Sequence, residues 1–353
     1  MKKSILALAV LGAFTGAVSA QSSVTLYGRL DNALVWTDPG SDRGDSRYSL
    51  NGHDVIGGSR WGLRGSEDLG GGLKANFVIE SGFNGDTGAQ SGSKLFDRQA
   101  FVSLSSKSLG EVRLGRQQTL TREVNLLTGD ISSEGELTIT ESVASNRPLF
   151  QNFSSRVDNA VQYLSPSFGG FQVRGLVAAG EGVTARQQGL MVSYSAGPLK
   201  AALSYETYAN KPARADDPDT TPANEFNADK SGSYNEVATV GASYNFGVAT
   251  LLGSYQNTTD LGSSTAFTEG TDHDAYNVGV MVPFGAFQFR AQYTTSTVET
   301  ANGDLDQDKY GASLRYSLSK RTQLYTVVTK REGDNDETFT RDTQVAFGIG
   351  HNF

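Results

Sequence analysis

The sequence predicts an all-β chain: a 16-stranded antiparallel transmembrane β-barrel with a long third loop folded into its lumen. Three observations carry that prediction. Apolar and polar residues alternate through a long series of short runs, and the polar face repeatedly holds bulky charge. The connections between runs alternate between short turns and longer polar segments. The final run stops on an aromatic residue, Phe353.

Before the first run lies an address. The chain starts Met1-Lys2-Lys3, stays uncharged through Ile5–Val18 and reaches Val18-Ser19-Ala20. A positive start, a short apolar core and a small-residue end make a secretory signal peptide. That core is too short for a membrane helix. Residues 1–20 are expected to be removed, leaving 21–353 as the barrel. No later run approaches the roughly 18 apolar residues a membrane helix needs; hydrophobic residues are 37% and mean hydropathy is −0.35. The chain has 41 glycines and no cysteine, so an exported form has no disulfides to hold it. Abundant glycine with many Tyr and Phe argues for short strands and turns. A net charge of −8 argues against nucleic acid as a partner.

The runs follow in order. In Val24–Thr37, Val24, Leu26, Leu30, Leu34 and Trp36 alternate with Tyr27, Arg29 and Asp31, as in a strand with one apolar and one polar face. Ser59–Glu67 sets Trp61 and Leu63 against Arg60 and Arg64. After the turn at Asp68–Gly72, Leu73, Ala75, Phe77 and Ile79 oppose Lys74, Asn76 and Glu80. Phe96–Ser105 alternates poorly: Arg98 points inward only if Ala100, Val102 and Leu104 do too. Glu111–Arg116 is the fifth run. Arg156–Leu164 sets Val157, Val161 and Tyr163 against Arg156, Asp158 and Gln162, and Phe171–Val177 opposes Arg174. Nine further runs reach Thr343–Phe353.

Seven connections are short and built from turn residues, such as Ala196-Gly197-Pro198. Eight are mostly longer, near 38–58, 84–95, 117–153, 179–186, 208–233, 258–273, 297–307 and 332–342. Short turns on one rim and long loops on the other is the transmembrane-barrel pattern. A soluble sandwich also alternates, but its turns are of similar length at both ends. In the last strand Val345, Phe347, Ile349, His351 and Phe353 share one parity. A barrel must pair this strand with its first, since an open edge is not viable in lipid.

The third connection, Gln117–Phe153, shows no sustained alternation. Loops beyond about 12–15 residues are uncommon unless they carry function. It holds Glu123, Asp130, Glu134, Glu136 and Glu141 with only Arg122 and Arg147, and lies between two runs that carry arginine. It reads either as a long surface loop or as a segment that folds inward and narrows a water-filled barrel.

Several passages resemble the general porins of Gram-negative outer membranes, most of all their β-proteobacterial branch. They are Ser23–Gly28, Ser59–Gly70, Gly110–Arg116, Tyr163–Phe171, Gly241–Gly247 and the terminal Phe353. The resemblance implies a homotrimeric 16-stranded barrel that passes ions and small hydrophilic solutes, with its third loop in the pore. It implies an eyelet with Arg60, Arg98, Arg156 and Glu80 on the wall and acids such as Asp130, Glu134, Glu136 and Glu141 on the loop. Arg29, Arg64 and Arg174 would add charge to the lumen. Phe353 would serve barrel closure and recognition by the assembly machinery, in a membrane of lipid and lipopolysaccharide. No cofactor or metal is implied.

Two other classes compete. A barrel enzyme, a lipase or protease, needs an oriented histidine or acid pair. Of the three histidines, His351 has the lipid-facing parity, His53 lies in a glycine-rich loop, and Asp272-His273-Asp274 reads as solvated loop. A non-catalytic adhesin or anchor would use the acidic loops around Asp216-Asp217-Asp219 and Glu332–Glu337.

Overall fold

The computed structural model describes residues 23–39, 45–51, 55–128, 155–179, 186–209, 234–261, 271–299, 303–333 and 342–353. Seventeen strand segments run through them: β1 (Ser23–Asp38), β2 (Arg47–Asn51), β3 (Arg60–Gly70), β4 (Leu73–Gly82), β5 (Gln99–Ser106), β6 (Gly110–Gln118), β7 (Arg156–Leu164), β8 (Phe171–Ala178), β9 (Arg186–Ala196), β10 (Leu199–Ala209), β11 (Tyr234–Asn245), β12 (Thr250–Leu261), β13 (Thr271–Phe284), β14 (Phe287–Val298), β15 (Leu305–Ser317), β16 (Thr322–Gly333) and β17 (Asp342–Asn352). One helix, α1 (Leu120–Thr128), follows β6.

The segments form one antiparallel sheet that closes on itself. β2 and β3 share one place in it. β2 pairs with β1 from Ala33↔Asn51 to Thr37↔Arg47, and β3 pairs with it from Ser23↔Ser66 to Arg29↔Arg60. The seventeen segments thus fill 16 positions, the number the alternating runs predicted. The connection expected over 38–58 is not all loop, because β2 continues the neighbour slot of β1 there.

Register fixes two faces. One carries Arg29, Asp31, Arg60, Glu80, Arg174, Arg290 and Arg315 and points inward. The other carries Leu26, Leu34, Val102, Leu114, Val173, Leu203, Val240, Phe289 and Phe347, all exposed and facing outward. Aromatic pairs bound this apolar band on both rims. Toward the short turns lie Phe171–Tyr194, Tyr244–Phe246 and Phe287–Tyr316. Toward the long connections lie Tyr255–Tyr276 and Tyr293–Tyr310, with Tyr255 and Tyr293 donating to Asp274 and Asp308. An apolar band between two aromatic girdles is how a barrel meets lipid and its interfaces.

The seam joins the two ends of the chain. β1 pairs with β17 from Arg29↔Asn352 to Asp38↔Thr343. Beyond it, Gly28 N–H donates to Phe353 O and Phe353 N–H to Gly28 O, each at 3.1 Å. The Phe353 ring lies across Gly28, where a Cβ would meet its Cζ at 2.3 Å and Arg60 O at 2.6 Å. Only glycine lets the terminal aromatic close the sheet in this way.

Three strand readings change. Ala100, Val102 and Leu104 pair with outward residues of β4, yet Arg98 still turns inward, because it precedes β5 in a bend and escapes the strand's alternation. In β7, Asn159 has φ 54° and breaks the alternation, so Val157 packs inward while Val161 and Tyr163 are outward. Asp272–Asp274 belong to β13 and are not loop; His273 is buried on the inward parity and Asp274 faces outward.

Candidate functional site: the inner wall and the segment that docks on it

The connection after β6 is helical at its start. The stretch read as structureless begins with the end of β6 and α1. Leu120, Thr121, Val124, Asn125 and Thr128 form its buried stripe, recurring at helical spacing. Leu120 and Val124 pack on Leu176, Met191 and Ala202, which all carry the inward parity of β8, β9 and β10. Gly189 and Gly241 make room beneath the helix: a Cβ would approach Leu120 Cδ1 to 3.2 Å in one case and Thr128 Oγ1 to 2.9 Å in the other.

The wall also caps the helix. Glu206 of β10 accepts Leu120 N–H at 3.0 Å and Thr121 N–H at 2.6 Å, and Gln187 donates to it at 2.8 Å. Thr119 Oγ1 takes Arg122 N–H at 3.4 Å, and the Thr119 carbonyl accepts Glu123 N–H at 3.1 Å as the first bond of the helix itself. The first-turn N–H groups, which no helix satisfies internally, are therefore all bonded. The carboxylate also sits at the positive end of the helix dipole. On the other side of the turn Arg174 Nη1 pairs with Glu123 Oε2 at 2.7 Å.

Of the predicted wall residues, Arg60 and Arg98 come together around Glu80. Arg98 Nε donates to Glu80 Oε1 at 2.6 Å, Arg60 Nε lies 3.9 Å from Oε2, and Tyr27 OH donates to Oε2 at 2.9 Å. Arg156 stands in the electrostatic field of Arg98, Arg122, Arg116 and Asp97. Arg116 was not singled out from the sequence; it bonds Asp158 at 2.7 Å and Asp97 O at 2.7 Å, and Lys94 pairs with the same Asp158. Arg64 stacks over the Tyr27 ring at 5.1 Å, and Arg29 lies on the inward face beside Asp31. Arg60 and Arg98 thus share one acid, Glu80, and Arg116 shares Asp158 with Lys94. Asp130, Glu134, Glu136 and Glu141 lie outside the described residues, as do His53 and Asp216–Asp219.

A model for Gram-negative porins matches residues 7–336. The chain belongs to the Gram-negative porin family. It is 40% identical over 268 residues to outer membrane porin protein 32 of Delftia acidovorans, covering 73% of this chain and 70% of that one. It is 36% identical over 293 residues to an outer membrane porin of Bordetella pertussis, covering 74% and 70%. Its structure matches the anion-selective porin from Comamonas acidovorans with a TM-score of 0.74 and 30% identity, over 94% of this chain and 100% of that one. The protein is an outer-membrane porin, a passive channel through a closed 16-stranded barrel.

In this porin the interior carries signals that the alternating pattern hid. Apolar residues on the inward parity, Leu176, Met191 and Ala202, mark the wall that α1 covers. Glu206 gave no sequence signal beyond an acid at an inward position among apolar neighbours.

Proposed function

We propose that this porin passes small hydrophilic solutes with a preference for anions, through an eyelet between its arginine wall and an inward third connection. The observation that carries this is the wall itself: among the described residues around Glu80, guanidinium groups outnumber carboxylates. Fixed positive charge between low-dielectric walls lowers the barrier for anions at the narrowest section. The docking of α1 on inward-facing residues supports an inward course for Gln117–Phe153, and its acids Asp130, Glu134, Glu136 and Glu141 would then face Arg60, Arg98 and Arg156. The anion selectivity named for the Comamonas acidovorans porin agrees with this reading.

The working form is a homotrimer exported with loss of residues 1–20, embedded among lipid and lipopolysaccharide, and delivered by the barrel assembly machinery through the strand ending at Phe353. The protein makes and breaks no bonds. His273 and Asp274 point to opposite faces of β13, so they do not form an acid–base pair.

The test is a reversal potential in a salt gradient across a planar bilayer. The unaltered protein should favour anions, and the triple variant Arg60→Gln, Arg98→Gln, Arg156→Gln should move permeability toward cations. An unchanged reversal potential in the triple variant would place the selectivity elsewhere.

A further inference from the structure

The interior holds a second inward segment. Between β2 and β3 the chain leaves the wall, and Val55 and Ile56 become fully buried. They pack with Ala33 and Val35 of β1, Tyr325 and Val327 of β16, Ala346 of β17 and Leu252 of β12. Every one of these wall residues has the inward parity. Val55 and Ile56 are therefore inside the barrel and not on its lipid face.

One side chain organises the segment. Asp31 is fully buried on β1; its Oδ2 accepts Ile56 N–H at 2.9 Å and its Oδ1 accepts Tyr325 OH at 2.6 Å. Its backbone N–H donates to Ser59 Oγ at 2.9 Å, and Ser59 Oγ donates back to Asp31 O at 3.2 Å. Gly57, at φ 134°, makes the turn that a side chain would resist. Gly350 leaves space for the Ile56 side chain, whose Cδ1 lies 3.2 Å from the place of an added Cβ. At its far end the segment meets the eyelet, where Arg60 Nη1 donates to Gly58 O at 3.4 Å.

We propose that Val55–Ser59 is a second constriction segment of the channel and that Asp31 is its positioning residue. β1, which anchors it, stands eight strands from β10, which anchors α1, counted either way round the closed sheet. The conduit then runs between two inward elements on opposite walls, and Arg60 takes its place in the eyelet partly from the second of them. Breaking β2 from β3 gives up ladder hydrogen bonds along β1. Apolar burial and the Asp31 hub offset that loss.

The inference rests on the chain being a passive channel, and the unaltered protein in the same bilayer checks that separately: no openings there would sink both, whereas normal openings leave the variants below to test this one alone. Ile56→Cys is a clean reporter, since the chain has no other cysteine. Its thiol should resist a charged, water-soluble thiol reagent. Adding Asp31→Asn should make it reactive and raise unitary conductance about 1.5-fold, as expected when one side of the narrowest section recedes. Tyr325→Phe, which removes a single hydroxyl, should move both readouts the same way by less and provides the comparison if Asp31→Asn assembles poorly. A thiol that becomes reactive with no change in conductance overturns the constriction. A thiol that reacts freely in the otherwise unaltered protein overturns the anchoring.

Discussion

Glu206 is a buried carboxylate that serves a helix. It lies on the inward face of β10 and accepts two N–H groups of the first turn of α1. Charge-assisted bonds to backbone donors are among the stronger ones in a protein. Glu206→Ala should leave Leu120 N–H and Thr121 N–H without this acceptor, at a cost of about 1–3 kcal/mol for each buried group left unsatisfied. The expected outcome is a lower unfolding temperature of the assembled barrel and a noisier open-channel current. Glu206→Gln should do less, because its amide oxygen still accepts. Thermal scans and single-channel recordings on both variants check this; an Ala variant as quiet and as stable as the parent would remove Glu206 from the anchoring of α1. The arginines at Glu80 show the opposite economy. Arg60 and Arg98 share one carboxylate, so their positive charge is only partly neutralised where solutes pass.

Among the elements, the strands were legible, whereas the helix α1 and the segment Val55–Ser59 were not. Period-two alternation survives in a barrel because lipid and water lie on opposite faces of every strand. It failed where the backbone departs from a regular strand: at Arg98 before β5, and at Asn159 in β7. It also gave no sign of β2, five residues inside a polar connection. The better signal for inward segments is apolar residues on the polar parity. Ala33, Val35, Val327 and Ala346 would face water in an open lumen; Val55 and Ile56 cover them. Leu176, Met191 and Ala202 mark the landing place of α1 in the same way. The glycines under α1 make that docking testable. Gly241→Leu adds a side chain where Thr128 already stands within 2.9 Å of an ideal Cβ, and leaves the strand's pairing intact. It should lift the end of α1 from the wall and change unitary conductance while heat-resistant barrels still form. Unchanged conductance in such barrels would mean that the position of α1 does not limit flow.

Over the whole molecule, basic side chains outnumber acidic ones on the inner wall although the chain as a whole is acidic, with a net charge of −8. Selectivity set by the wall should therefore not follow the net charge. Neutralising Glu67 and Asp68, exposed at the end of β3 away from Arg60, should leave the reversal potential nearly unchanged, since salt screens exposed charge over about 8 Å at physiological ionic strength. Raising the salt concentration should weaken the anion preference gradually, because the eyelet is wet but walled by low dielectric. Recording reversal potentials at several salt concentrations, for the parent and for the Glu67→Gln, Asp68→Asn variant, separates the two contributions. Equal shifts from distant and eyelet variants would assign the preference to surface charge. The seam carries a further consequence, one of timing. Gly28 and Phe353 exchange hydrogen bonds from opposite ends of the polypeptide. Closing so long a chain carries a large entropy cost, and such non-local pairings form slowly. Every other neighbouring pair of strands lies closer together in the chain than this one. Until it forms, β1 and β17 each present a bare row of amides and carbonyls able to recruit a strand from another molecule. Maturation of this protein is thus a race between β1 meeting β17 and either of them meeting a foreign edge.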